Sequence, residues 1–365
     1  LVNHAFSIVV PVGHWSPFLP AALRSLQLQN APLQVALCDA SGDPRVATAA
    51  DASGVDFIYR RHGPDEGQSG AIAEGWSHTT GALLGWLNAD DVLLPGALDD
   101  VAGAFEANPS GDVWFGQSTF FNSAGTTIGR HPEVEPVSDL LLRSNTISQP
   151  SCFARRTSGD AVGGVDRRKH FTMDWDLWAR LYRSGAKFGC SRRFYSAVLM
   201  SENTKTNSIS RRRLAEIFDT VSAGATRYTA AKSVIGSIQR HMRGYADFGA
   251  LPLGDERDGM DATEALRESH ARTPARATST TALPVVNLSD RDQRRLVVVL
   301  AGRGAEHAEV TANGHSSKGA HAEFFFDPPV RPGAAPVVSV RGRPDHGVVQ
   351  LKEARWGDKA APGAS

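Results

Sequence analysis

Apolar and polar positions fall into short blocks along the first part of the chain, and the blocks alternate between two periods. "FSIVVPV" (6–12) is a β-branched run of the kind that forms a buried strand. "SPFLPAALRSLQLQ" (16–29) has helical spacing, with Ser16 and Pro17 marking its first turn. "LQVALCDASGD" (33–43) reads as a second strand ending in a polar turn, and "VDFIYR" (55–60) as a third. "GQSGAIAEGWSHT" (67–79) returns to helical spacing before "GALLGWLNADD" brings the next strand. Strands alternating with helices in this way predict an α/β fold, a mostly parallel sheet flanked by helices.

"DVWFGQSTFFN" (112–122) predicts a further strand followed by a turn at "SAGT", and residues 130–156 mix loop with short helix. In "DWDLWARLYRSG" (174–185), Leu177, Trp178, Leu181 and Tyr182 share one face of a helix that stops at Gly185. Asp174 and Asp176 fall in its first turn, where the helix dipole favours negative charge. Residues 211–245 predict two basic amphipathic helices, which pack over the sheet or lie on anionic lipid or an acidic polymer. Residues 252–282 are polar and read as a loose connection. Short alternating strands divided by Gly and Pro turns then predict a small C-terminal all-β, sandwich-like domain. The expected division is 1–210, a helical extension and linker at 211–282, and the β domain at 283–357.

A length of 365 residues accommodates this division, and 41% hydrophobic with 21% charged residues is ordinary for a soluble globular protein. The formal net charge of zero hides an asymmetry. Residues 1–150 carry six arginines and no lysine against sixteen acids, whereas 151–250 carry eighteen basic residues against eight acids. An acidic half suits a cation and a basic half suits phosphate, although the two halves would also attract each other within one domain. Cys38, Cys152 and Cys190 fit neither a zinc pattern nor a disulfide framework, so reduced core cysteines of a cytoplasmic protein are expected. No apolar run approaches the roughly 18 residues of a membrane span, and the N-terminus lacks the order of a signal peptide. The inner face of a membrane stays open as a place of peripheral contact.

Candidate chemistry concentrates at strand ends. Asn88-Ala89-Asp90-Asp91 directly follows an apolar run, and burying two adjacent carboxylates unpaired would be costly. One reading makes Asp90 or Asp91 the cap of a helix beginning near Pro95. The other makes them oxygen ligands of a metal that faces a diphosphate. Asp39 also ends a strand, and ligands of open α/β sheets bind at the carboxyl ends of strands. Two acidic strand ends favour the metal or nucleotide reading.

The order of these motifs carries a resemblance. "FSIVVPV", Asp39 after a strand, "GPDEGQSGAIAEG", "GWLNADD", "SQPSCF" and "VGGVDRRKHFTMDWDLWARL" succeed one another as in the family 2 glycosyltransferases, which have the GT-A fold; the chain resembles them across residues 5–210. Asn88-Ala89-Asp90-Asp91 looks like the family's Asp-x-Asp signature, with Asn88 in place of the first Asp. The resemblance implies inverting transfer of a sugar, a hexose foremost, from a nucleotide-diphosphate donor to an acceptor hydroxyl. That chemistry needs a base for the acceptor proton and an electrophile for the departing diphosphate. Mn²⁺ or Mg²⁺ is the implied cofactor.

Residue by residue, the resemblance implies Asp90 as metal ligand, with Asp91 beside it, and Asn88 and Ala89 on the sugar-nucleotide side. Asp39 matches the position that hydrogen-bonds the nucleotide base, flanked by Pro11 and Val12. Asp65 and Gln68 line the same wall, although Pro-Asp-Glu-Gly is also good turn chemistry. Asp174 matches the catalytic base, with Asp176 as a structural partner. Gln149, Pro150 and Ser151 resemble the loop bordering the acceptor, and Trp175 offers a stacking face or a core ring. Lys205 in "MSENTKTNS", with Arg211 to Arg213, approaches the diphosphate in this reading, while Ser201 stands where the family has a His.

The expected partners are a nucleotide-sugar donor and a hydroxyl acceptor in a polysaccharide, glycolipid or natural product; no nucleic acid is expected. The C-terminal β domain has three roles open to it: binding glycan, joining copies of the chain into a homo-oligomer, or covering an apolar face. The alternative to an enzyme is a non-catalytic carbohydrate- or nucleotide-binding module on the same fold. Asp90 and Asp174 together speak against that, because a binding protein has no need of a positioned base.

Overall fold

Strand β1 (Phe6–Val12) is buried at every residue, as a central strand covered on both faces must be. It pairs in parallel with β2 (Leu33–Asp39) on one side and β4 (Leu83–Trp86) on the other, and β2 pairs in parallel with β3 (Phe57–His62). Helices α1 (Leu19–Gln27), α2 (Pro44–Ala52) and α3 (Gln68–Ser77) make the crossovers. The computed structural model describes residues 6–131, 137–201, 209–243, 280–301, 304–341 and 349–357. Lys205 lies outside the described residues, as does most of the expected linker.

The chain divides into two units, residues 1–118 with 132–245, and residues 119–131 with 246–365. In the first unit the strand order is β3-β2-β1-β4-β8-β6, where β8 (Cys152–Arg155) and the start of β6 (Val113–Phe121) are antiparallel additions. A short β5 (Val92–Leu93) pairs with β9 (Phe188–Leu199). Because side chains alternate across a strand, β1 feeds two cores. Phe6, Ile8, Val10 and Val12 join Leu19, Leu23 and Leu26 of α1 and Leu98, Val101 and Phe105 of α4 (Ala97–Ala107). Val9 joins Trp76 of α3 and Leu177, Trp178 and Leu181 of α6 (Met173–Arg183) on the other face. Full burial of each such side chain stabilises by about 1.5–3 kcal/mol.

Helix α7 (Arg211–Ser222) and helix α8 (Arg227–Arg243) are the two basic helices expected from the sequence. Ile217, Val221 and Ala230 belong to the second of those cores, so their apolar faces are used in packing. No helix among the described residues is long and apolar enough to cross a membrane. All three cysteines are free; Cys38 and Cys152 are buried and Cys190 half-buried.

Two local expectations change. Neither Asp90 nor Asp91 caps a helix, because α4 begins at Ala97 behind Gly96, whose φ of 74° places it in the left-handed region. The polar turn after β2 continues into α2, capped by Asp43, whose Oδ1 accepts the Arg45 N–H at 2.9 Å. Only Val46 and Ala50 of α2 are buried, too few to print a helical period on the sequence.

The second unit contains two antiparallel arrangements. β14 (His321–Val330), β11 (Gln293–Ala301), β16 (Gln350–Trp356) and β7 (Thr127–Arg130) lie side by side in that order. A separate sheet has the order β10 (Thr280–Pro284), β15 (Val337–Arg341), β12 (Glu309–Ala312), β13 (His315–Lys318). Alternation is plain in β14, where Ala322, Phe324 and Phe326 are buried and Phe325 between them is exposed. β12 and β13 are joined by Asn313-Gly314, both at positive φ, the pair that a two-residue hairpin of this twist requires.

Helix α3 approaches β1 so closely that a Cβ on Gly75 would lie 2.6 Å from both γ-carbons of Val9 and 3.2 Å from Cβ of Ala36. Gly103 of α4 has open space around it. Gly75→Ala is therefore expected to lose about 1–3 kcal/mol of stability, and Gly103→Ala to gain roughly 0.4–1 kcal/mol. Denaturant unfolding of the two variants checks both signs.

Candidate active site

The parallel register brings separate strand ends together. Val12 is level with Asp39, and Asp39 with His62. Pro11 and Val12 are buried, and Asp39 is only 3% exposed. A buried carboxylate must be hydrogen-bonded, and this one is. Asp39 Oδ1 accepts the Ser41 N–H at 2.9 Å and the Ser41 hydroxyl at 2.6 Å, while its Oδ2 accepts His62 Nδ1–H at 2.9 Å. Arg61, also in β3, donates to the Asp39 backbone oxygen at 3.2 Å, to Asp65 Oδ2 at 3.0 Å and to Glu74 Oε1 at 2.8 Å.

Asp65 in turn starts α3. Its Oδ1 accepts the Gly67 N–H at 2.8 Å, and Gly67 takes a φ of 98° that a side chain would resist. The next residue, Gln68, donates to Asn88 Oδ1 at 2.7 Å. Asn88 donates through Nδ2 to Asp91 Oδ2 at 2.9 Å and to Gln149 Oε1 at 3.2 Å, and Gln149 donates to the Trp86 backbone oxygen at 2.7 Å. Asp91 Oδ1 accepts the Leu199 N–H at the end of β9 at 3.1 Å. A continuous path thus runs from Asp39 through Arg61, Asp65, Gln68 and Asn88 to Asp91.

The two aspartates of the NADD stretch are not equivalent. Asp91 is 3% exposed, and burial first, then the neighbouring Asp90 charge, push its carboxyl well above the usual range. Asp90 is half-buried. Among the described residues no group of three His, Cys, Asp or Glu is placed to hold a metal. Two carboxylates fit a hard divalent cation whose remaining ligands are phosphate oxygens and water, the manner in which Mg²⁺ is usually held. Asp90 and Asp91 are the carboxylates that such a metal would meet here, with Asp91 turned inward onto the Asn88 amide and the Leu199 N–H.

Asp174 sits in the first turn of α6, behind an N-cap, Thr172, whose side chain makes no capping bond. The segment that leads into α6 is held from α7. Glu216, 6% exposed, accepts the N–H groups of His170 at 2.9 Å, Phe171 at 2.7 Å and Thr172 at 3.2 Å, and pairs with Arg212 at 3.1 Å. Burial acts to raise the Glu216 carboxyl, but those N–H groups and Arg212 outweigh it and hold it below the usual glutamate range. The loop before α6 also meets the start of α3, where the Ser69 hydroxyl donates to the Lys169 backbone oxygen. Asp174 Oδ2 accepts from Asn145 Nδ2 at 2.9 Å. Burial raises the Asp174 carboxyl above its ordinary value, against the pull of the Trp175 N–H, Asn145 and Arg213. Asp176 is bound to Arg180 at 2.8 Å, and Arg180 donates onward to the Gly164 oxygen at 2.8 Å.

Residues 7–160 match the family described as glycosyl transferase family 2. This segment is a family 2 glycosyltransferase domain. It takes in every predicted donor-side residue from Pro11 to Asp91 and the 149–151 loop, and it ends before Asp174. Among solved structures, the chain is similar to S. aureus TarS 1–349 in complex with UDP-GlcNAc, with 13% identity and a TM-score of 0.48 over 66% of this chain and 73% of that one. It is also similar to the mannosyltransferase PcManGT from Pyrobaculum calidifontis in complex with GDP-Man and Mn²⁺, with 12% identity and a TM-score of 0.43 over 73% and 79% of the two chains. No curated protein matches. The reaction class of the family 2 domain is transfer of a sugar from a nucleotide-sugar donor.

Within the family 2 domain and α6, most of the sequence-predicted residues meet, and some take other work. Asp39, Asp65, Gln68, Asn88, Asp91 and Gln149 belong to the hydrogen-bonded wall above, with Pro11 and Val12 on the strand beside Asp39, and Ala89 (8% exposed) and Asp90 in the turn of Asn88. Pro150 is buried, and Ser151 is buried in a hydroxyl cluster with Ser118 and Ser196 at 2.8 and 2.7 Å, so these two shape the loop from beneath. Trp175 is 7% exposed with its indole N–H on the Leu141 oxygen at 2.6 Å; this ring packs the core, and the stacking face expected of it is used there. Arg61, His62, Asn145 and Glu216 escaped the sequence reading. His62, Asn145 and Glu216 have partners distant in sequence, as with Glu216 and His170 at a separation of 46, and no local pattern marks such pairs; Arg61 has Asp65 four residues on, but its bond to the Asp39 oxygen spans 22.

Glu216→Gln should cost about 1–3 kcal/mol, since three N–H groups lose a charged acceptor. The folded Glu216 carboxyl lies below its unfolded value, so its contribution is present at neutral pH and is lost as pH falls through the folded value. The stability gap between wild type and Glu216→Gln, measured by thermal unfolding at stepped pH, is expected to close on acidification.

Proposed function

We propose that this protein is an inverting glycosyltransferase that moves a hexose from a nucleotide-diphosphate donor to an acceptor hydroxyl by a single displacement assisted by Mn²⁺ or Mg²⁺. The observation that carries this reading is the path from Asp39 to Asp91, with Gln149 joining it from the 149–151 loop. It connects a carboxylate suited to a nucleobase with a carboxylate pair suited to a diphosphate. Asp39 keeps acceptor capacity beyond its bonds to Ser41 and His62, and takes an N–H of the base in this reading. Asp90 and Asp91 would hold the cation, which would supply charge stabilisation to the departing diphosphate. Asn88, bound to Gln68, Gln149 and Asp91, orients the turn that carries them. Lys205 and the Arg211 to Arg213 run are assigned to the diphosphate on their sequence position alone.

Asp174 takes the proton from the acceptor hydroxyl as the oxygen attacks the anomeric carbon. Asp176 is committed to Arg180, which leaves Asp174 as the carboxylate of that turn free for the role. The acceptor, a glycan or small-molecule hydroxyl, enters beside Gln149. As the base must be ionised, turnover falls as pH drops through the Asp174 value, and burial places that fall above the usual carboxylate range.

Calorimetric titration with UDP, GDP, dTDP and CDP, each with Mn²⁺ or with EDTA, tests the donor side. One nucleotide is expected to bind, and to lose affinity in EDTA or in Asp90→Ala. Asp174→Asn should keep that affinity and lower turnover about 10²- to 10⁴-fold. Wild-type turnover in Asp174→Asn would remove the base assignment. Absence of binding to any of the four would favour a glycan-binding module over a metal-dependent transferase.

A further inference from the structure

Asn145 and Gln149 belong to one short segment between two 3-10 turns, Asp139–Leu142 and Gln149–Ser151. Gln149 bonds Asn88 of the metal-side turn, and Asn145 bonds Asp174 of the base-side turn. The two residues are four apart, so their Cα atoms are separated by at most about 14 Å even in an extended chain. The same stretch of backbone therefore touches both halves of the site. It is anchored along its length: Thr146, Ile147 and Ser148 are buried, and the Ser148 and Ser118 hydroxyls are 2.6 Å apart. Helix α6 is docked on the preceding turn by two further bonds, Trp175 to the Leu141 oxygen at 2.6 Å and Tyr182 to Asp139 at 3.0 Å.

We propose that Asn145 is a positioning residue of the transfer reaction, whose amide fixes the Asp174 carboxylate at a set distance from the Asp90 and Asp91 pair. The inference rests on the assignment of Asp174 as the base. A carboxylate only accepts hydrogen bonds, so the Asn145 NH₂ group must face it. One lone pair of Oδ2 is thereby engaged, the carboxylate's rotation is restrained, and lone pairs remain for the acceptor's proton. The bond also favours the ionised form against the effect of burial, alongside the Trp175 N–H and the charge of Arg213 from α7. Rigid support of this kind matters because small misplacements of a reacting group cost rate steeply.

Asn145→Ala and Asn145→Asp are the variants to compare with wild type and with Asp174→Asn. Both are expected to lower kcat tenfold or more and to shift the acid limb of the pH–rate profile to higher pH. Asn145→Ala does so because a group that lowers the Asp174 value is gone, and Asn145→Asp because a like charge replaces it. Donor-nucleotide affinity by calorimetry should stay within about twofold, which also shows that the variants are folded. Carboxyl-¹³C titration of Asp174 in wild type and Asn145→Ala reads the same shift without turnover. A loss of kcat with the limb and the Asp174 titration unmoved would mean a purely structural role and would overturn the proposal, as would a wild-type kcat and profile in Asn145→Ala. If Asp174→Asn itself turns over normally, the base assignment fails and this inference fails with it. If Asp174→Asn is inactive while Asn145→Ala behaves as wild type, only the inference about Asn145 fails.

Discussion

A buried carboxylate in the turn between β4 and β5 governs the arrangement around it. Asp91 has almost no contact with solvent, has Asp90 next to it, and carries a raised carboxyl for those two reasons. Such a group is tolerated in a fold only when hydrogen-bond donors are built around it. Two of them are the Asn88 amide and the Leu199 N–H. Each drags a different part of the chain into place: Asn88 links α3 through Gln68 and the 149–151 loop through Gln149, and Leu199 brings the end of β9.

The base side follows the same logic with different means. Helix α6 begins without a side-chain cap of its own, and Glu216 of α7 fixes the segment before it by accepting three successive N–H groups. Asn145 and Arg213 then act on Asp174 from two other segments. Helix α7, whose first turn holds Arg211 to Arg213 and whose second holds Glu216, is thus joined to the start of α6. The acidic and basic parts of the chain meet within the first unit, where Arg193 pairs with Asp100 at 2.6 Å and Arg167 with Glu66 at 3.7 Å.

The second unit shows how much of a β structure depends on alternation alone. β11, β12, β14, β15 and β16 each carry enough apolar residues at every second position to be read from the sequence. β10 and β13, "TTALP" and "HSSK", do not. They exist because neighbouring strands offer them a ladder of N–H and C=O groups, a reason that no local pattern contains. The Asn313-Gly314 turn is the exception, since a positive-φ pair betrays the hairpin even beside a polar strand.

The sequence by itself determined the strands and helices up to Trp86 apart from α2, the strand end at Asp39, the polar turn after β4, the helix that presents Asp174, and the family that these motifs resemble. It could do so because burial of a strand or helix face imposes a period, and a ligand site at strand ends interrupts that period with polar residues. Only the tertiary structure decided what each of these neighbouring side chains is bonded to. Asp176 is taken by Arg180, Asp91 is turned inward, and Trp175 is spent on the core. It also supplied Arg61, Asn145 and Glu216, whose partners come together only after the sheet has closed on its helices. Hydrogen bonds between distant segments leave no period behind them, so the supports of the site became visible only in three dimensions.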